Sequence, residues 1–219
     1  MFSLSEILFP SRCIGCTKLG IAICSDCRRD WHLHVYHREL SVMGIRYPVL
    51  SAVQYSPIAS RVLLSAKESQ ISTADELINK SLKHSMQLFI KRFGEGTLIS
   101  VPSRKSANRK RGRDFLQEMT SALAIDLELN YASPLSHRYK VRDQSQLNLG
   151  ERSQNISGAF AVSRQFAALS SQGNIAPKLI VIDDLITTGA TLTEAIRALQ
   201  IAGFTVLGAV TSCTAKPLR

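Results

Sequence analysis

One stretch constrains this chain more than any other: the unbroken apolar run Leu179-Ile180-Val181-Ile182, then Asp183-Asp184, then Thr187-Thr188-Gly189-Ala190-Thr191. Aliphatic residues without alternation read as a strand buried on both faces, here Lys178 to Asp183, and such strands belong to parallel sheets covered by helices. Gly189 and the threonines read as a turn, Thr191 to Ile201 as an amphipathic helix, and Thr205 to Cys213 as the next strand. The same alternation recurs upstream. Val49 to Ser56 is strand-like, Pro57 to Lys67 helical, Thr73 to Phe93 a long helical repeat closed by Gly94-Glu95-Gly96, Thr97 to Pro102 a strand, and Phe115 to Leu127 a helix. Strands alternating with helices predict an α/β fold with a parallel sheet. Trp31 to Pro48 is weakly patterned and reads as a connection, and polar Tyr139 to Phe160 as a mobile loop.

Ligands of such sheets collect at the carboxyl ends of the strands, where a loop entering a helix offers free N–H groups to an anion. Gly189 lets backbone approach closely, and Thr187, Thr188 and Thr191 add hydroxyls. The aspartates would repel phosphate but suit ribose hydroxyls or a hydrated Mg²⁺ ion. Together they point to a sugar with a phosphate on one side and hydroxyls on the other. The plainer alternative is a helix cap followed by two solvated aspartates.

Four of the five cysteines form two knuckles, Cys13-x-x-Cys16 and Cys24-x-x-Cys27. Paired knuckles suit a tetrahedral structural zinc, which replaces a core too small to fold alone; a redox dithiol pair or a metal-free finger is the alternative. His32, His34 and His37 read as exposed or packing residues, and Cys213 as a small buried one. We divide the chain into a helix and four-cysteine zinc ribbon, 1–48, and an α/β domain, 49–219. No apolar run approaches the roughly 20 residues that cross a bilayer, so stable membrane insertion is not expected. The opening MFSLSEILFP lacks a basic leader and reads as an amphipathic helix docked on the body or briefly on a membrane. A cytoplasmic protein is expected.

The net charge of +10 makes polyanions or anionic metabolites natural partners. Arg104, Lys105, Arg109, Lys110, Arg111 and Arg113 follow a strand closely and could meet pyrophosphate or a nucleic-acid backbone, or simply form a solvated surface. Trp31 and Tyr139 are the candidate stacking platforms for single-stranded DNA.

VIDDLITTGAT resembles the 5-phosphoribosyl 1-pyrophosphate (PRPP) signature of type I phosphoribosyltransferases. The resemblance implies that Asp183 and Asp184 take the ribose hydroxyls, that Thr187, Thr188, Gly189, Ala190 and Thr191 take the 5′-phosphate, and that Mg²⁺ accompanies PRPP. Two cysteine knuckles, Val101-Pro102 with a downstream Arg111-Gly112, and a run containing Gln144, Leu147, Glu151, Arg152, Asn155, Gly158, Ala159 and Phe160 complete a similarity to the ComF/GntX-like competence protein family. It implies a zinc module joined to a type I phosphoribosyltransferase-like sheet and a part in single-stranded DNA uptake. It further implies a motor ATPase as partner at the inner face of the membrane, with glycosyl transfer from PRPP to an unidentified acceptor as the alternative function. Lys67 would lie on the pyrophosphate side. No catalytic residue is assigned. Two departures stand out: Arg113 and Asp114 fall where the family reads Phe and Asn in RGFNQ, and Glu68 follows Lys67 in place of an aromatic residue.

Overall fold

The computed structural model describes residues 11–69, 71–104, 108–109, 111–138, 158–171 and 176–215. Within them the chain runs α1 (Ser25–Asp30), β1 (Tyr36–Val42), β2 (Ile45–Gln54), α2 (Pro57–Ser69), α3 (Ser72–Phe93), β3 (Thr97–Ser100) and α4 (Phe115–Asp126). It continues through β4 (Tyr131–Ala132), β5 (Leu135–His137), β6 (Phe160–Val162), α5 (Arg164–Ser171), β7 (Leu179–Ile186), α6 (Ala190–Ile201) and β8 (Val206–Thr214). The main sheet has the order β1-β2-β8-β7-β3-β4, parallel throughout except where β1 pairs with β2. This is the α/β architecture expected.

The centre of the sheet is buried on both faces. Leu179 to Asp184 of β7 and Gly208 to Thr214 of β8 are all buried, because α3 packs on β2 and β8, α4 on α3 and β3, and α6 on β7, β8 and β1. Phe89 of α3 closes on Gly208, where any side chain would strike the Phe89 ring and the carbonyl of Pro48.

Two expectations change. β7 does not stop at Asp183 but carries both aspartates and continues to Ile186, since its pairing with β8 persists to Ile186 opposite Thr214. Trp31 to Pro48 is not a plain connection, because it holds β1 and the start of β2, joined by Met43 at φ 49° and Gly44 at φ 80°. Two consecutive positive φ values make the turn whose twist matches a hairpin, although Met is a rare occupant. The boundary placed at 48/49 therefore falls inside β2.

β5 and β6 form a separate antiparallel pair, tied to α6 by Glu194. This buried carboxylate accepts the Phe160 N–H at 3.0 Å and holds Arg197 in a two-pronged pair at 2.6 and 2.7 Å. Burial alone would raise its pKa, but the hydrogen bonds from Arg197 and from the β6 backbone outweigh it, so Glu194 lies below the usual range. A depressed folded pKa contributes stability above the unfolded value of about 4.3, and that contribution fades as pH falls through the folded pKa. In urea unfolding, the stability gap between wild type and Glu194→Gln should be constant above about pH 5 and narrow below about pH 4; a gap independent of pH would refute the assignment.

Candidate functional site

The parallel strands β2, β8, β7 and β3 all end at one edge of the sheet. Asp183 and Asp184 sit near the end of β7, both more than nine-tenths buried. They are not solvated, which removes the plainer alternative. α2 leaves β2 at the same edge and brings Lys67 back across it, so that Nζ lies 2.5 Å from Asp184 Oδ2. Burial would push this lysine down, but the charges of Asp184 and Asp183 keep it above its ordinary value. Burial and the neighbouring Asp184 charge raise Asp183 well above the carboxylate range. Asp184 is pushed up by burial and pulled further down by Lys67, ending low. The triad thus holds one ammonium, one carboxylate and one carboxyl that resists ionisation.

Beyond Ile186 the chain turns through Thr187 and Thr188 to Gly189, which caps α6 at φ 86° with no side-chain cap. The φ favours glycine, and any side chain there would run into Leu40 of β1. The helix makes its first backbone bond from Thr193 N–H to Gly189 O, 2.8 Å, and Thr188 Oγ1 accepts the Ala190 N–H at 3.3 Å. A pocket lined by Asp183, Thr187, Thr188, Gly189, Ala190 and Thr191 faces this uncapped turn. Free first-turn amides and the helix dipole favour an anion here. The structure therefore brings Asp183, Thr187, Thr188, Gly189, Ala190 and Thr191 around one pocket, with Asp184 and Lys67, paired to each other, next to it in the strand end.

Arg38 escaped the sequence reading. From β1 its Nη1 donates to Thr187 O at 2.8 Å and to Ala215 O at 3.5 Å, so the edge strand adds a half-buried cation to the anion loop. Its only signal would have been the hairpin, which a Met-Gly turn conceals.

The basic stretch is divided. Arg113 turns inward, pairing with Asp75 through both terminal nitrogens at 2.8 Å, bonding Ala66 O at 2.6 Å and lying 5.2 Å over the Phe115 ring. Arg111 pairs with Glu68 at 2.7 Å. Arg109 is exposed and Arg104 half-buried, beside the β3 end; Lys105 and Lys110 lie outside the described residues. Also outside them are Tyr139, Gln144, Leu147, Glu151, Arg152 and Asn155. Trp31 is buried in the core, which corrects its reading as a stacking platform.

Cys13, Cys16, Cys24 and Cys27 bring their sulfurs within 4.8 Å of one another. Cys16 and Cys24 are 3.6 Å apart and all five cysteines are free. Zn–S bonds of about 2.3 Å put tetrahedral sulfurs roughly 3.8 Å apart, so four thiols this close together could hold a metal such as zinc. Burial opposes a thiolate at Cys13, yet the N–H groups of Cys24, Cys16 and Gly15 bring its pKa to about 6, while burial and the neighbouring thiols push Cys27 up. His32, His34 and His37 are exposed and outside the cluster, and Cys213 is buried in β8. The module docks through Arg61, which donates to Gly15 O, and through Ile14, Ile23 and Trp31 in the common core.

No protein-family model matches this sequence, and no curated protein matches it. Among solved structures the chain is similar to an adenine phosphoribosyltransferase, with 11% identity over 87% of this chain and 89% of the other and a TM-score of 0.44. It is also similar to the Saccharomyces cerevisiae adenine phosphoribosyltransferase, with 12% identity over 89% of each chain and a TM-score of 0.42. The orotate phosphoribosyltransferase of Aeropyrum pernix has 17% identity over 81% of this chain and 73% of the other, with a TM-score of 0.39. No helix among the described residues is long and apolar enough to cross a membrane.

Metal analysis of purified protein should find one zinc per chain, and Cys13→Ser, Cys24→Ser should lose it and open residues 11–30 to proteolysis. Stoichiometric zinc in the double variant would overturn the four-thiolate site.

Proposed function

We propose that this chain binds PRPP in the manner of a type I phosphoribosyltransferase, with a structural zinc module around Cys13, Cys16, Cys24 and Cys27 and the six-stranded sheet, β1 included, as the core of the phosphoribosyltransferase-like domain. The observation that carries this reading is the buried Asp183-Asp184-Lys67 group set directly before the uncapped turn at Gly189. The turn from Thr187 to Thr191, with Arg38 beside it, takes the 5′-phosphate. Asp183 and Asp184 receive the ribose 2′- and 3′-hydroxyls. Lys67, across the strand ends, and Arg104, in the loop after β3, are the cations that would meet the pyrophosphate.

Asp183 and Asp184 are also the oxygen donors that would hold a Mg²⁺ ion arriving with PRPP, which when bound neutralises charge on the leaving pyrophosphate. In glycosyl transfer the bond from C1′ to the pyrophosphate oxygen breaks as the acceptor's bond to C1′ forms. The chain's contribution is electrostatic: Lys67 and Arg104 stabilise the departing anion, and the buried carboxylate favours positive charge developing on the ribose.

A ComF-like part in single-stranded DNA uptake, with a motor ATPase as partner at the inner face of the membrane, is the second reading. The net charge of +10 and the exposed Arg109 favour it. With Arg111 and Arg113 engaged by carboxylates, DNA contact would be weak and steeply salt-dependent.

Calorimetric titration of the zinc-loaded protein with PRPP should show Mg²⁺-dependent binding, weakened at least about tenfold by Asp184→Asn, since a hydrogen bond to a charged group contributes roughly 1.5–3 kcal/mol. Circular dichroism checks that the variant is folded. Equal affinity in a folded Asp184→Asn protein would remove the ribose assignment.

A further inference from the structure

Two adjacent carboxyls are available to receive the ribose, yet only one of them faces the anion pocket. Asp183 stands in the pocket wall and Asp184 does not. Lys67 lies over Asp184 instead, with Nζ 2.5 Å from Oδ2. The contact is one of charge rather than of alignment, because Oδ2 is shut off from solvent and accepts no hydrogen bond among the described residues. A carboxylate oxygen held in this way keeps its acceptor capacity for a better-placed donor.

The lysine is built to move at one end only. It stands in the last turn of α2, whose backbone is fastened on both sides of it: Arg113 donates to Ala66 O at 2.6 Å, and Arg111 donates to Glu68 at 2.8 Å. Beyond that anchor the side chain is a flexible four-carbon stem ending in a compact ammonium. The Lys67 side chain is 27% exposed and that of Asp184 11%, so the ammonium is the more accessible member of the pair and shields the other.

Charge decides what can shift it. A hydroxyl offered to Asp184 alone would leave the ammonium without an anion, and breaking a buried pair without replacing the lost partner is strongly unfavourable. A ligand that brings its own anion gives the ammonium a new partner while the hydroxyl takes Oδ2. The 5′-phosphate is not that anion, since the turn that would hold it has Asp183 in its pocket and not Lys67. We propose that Lys67 is a specificity-determining residue: it competes with the ribose for Asp184 and yields only to a sugar that carries a second anionic group at C1′. The inference rests on the phosphosugar reading of this edge, and it adds that a sugar with a 5′-phosphate alone is turned away.

Calorimetric titration with PRPP and with ribose 5-phosphate at one fixed Mg²⁺ concentration tests it, because the two ligands share the 5′-phosphate and the ribose hydroxyls. Wild type should bind PRPP and should bind ribose 5-phosphate about a hundredfold more weakly. Lys67→Met should tighten ribose 5-phosphate about tenfold and weaken PRPP about tenfold, as expected for hydrogen bonds to charged groups. Lys67→Arg, which keeps the charge, should leave ribose 5-phosphate weak. Circular dichroism checks each fold, and Lys67→Gln takes the place of Lys67→Met if the latter does not fold. The competition is overturned if the folded neutral variant binds ribose 5-phosphate no more tightly than wild type does. A simple pyrophosphate contact would lower PRPP affinity alone, and a structural role would lower both. Equal affinity of wild type for the two sugars also overturns it, while leaving PRPP binding itself intact. If neither wild type nor variant binds either sugar, the phosphosugar reading falls and this inference falls with it.

Discussion

The contact between Lys67 and Asp184 holds the functional edge of this molecule together. A carboxylate at a fully covered strand end faces a desolvation cost of several kcal/mol, and a second carboxyl beside it raises the cost further. The ammonium carried back by α2 meets that cost, 2.5 Å from Asp184, and leaves Asp183 as the member of the pair that resists ionisation. Such a pair is weak evidence for stability, because apolar residues of the same volume would do as well. Its presence at the mouth of β7 is therefore what the proposed phosphosugar site, rather than stability, would call for.

The same edge explains the two departures from the ComF-like pattern. Glu68, next to Lys67, pairs with Arg111 in the loop after β3, and Arg113 reaches the C-terminal turn of α2 at Ala66 and the first turn of α3 at Asp75. Asp114 caps α4 and gathers Ser103 and Asn108. The altered residues thus form one set of compensating contacts that anchors α2, and with it Lys67, to the basic loop. Charges that looked like a polyanion surface are partly spent on positioning.

Much of this was legible in the sequence where local pattern and tertiary role coincide. The apolar run of β7, the Gly189 turn and α6 announce themselves because burial on both faces removes polar alternation and a turn at φ 86° favours glycine. The cysteine knuckles are equally plain, since metal ligation demands their spacing. The β1–β2 hairpin was not legible: β1 is an edge strand with one covered side, and Met43 stands at φ 49° where Asn or Asp would signal the turn. Arg38 was lost with it, because its contacts with Thr187 and Ala215 depend on how that hairpin folds against the edge. Ion pairs such as Arg111 with Glu68, 43 residues apart, leave no local trace at all.

The four-cysteine module gains a physical purpose from this arrangement. A helix of six residues such as α1 has no stability of its own, yet it forms immediately after Cys24, with Cys27 in its first turn. A metal bound by the four sulfurs would fix that helix to the knuckles, while Arg61 and the buried Trp31 fix the knuckles to α2 and the core. Because α2 also carries Lys67, six residues after Arg61, the metal module and the end of β7 are joined through less than about two turns of one helix. The cysteine knuckles are thus held in register with the end of β7 through covalent geometry and core packing, with no moving part required.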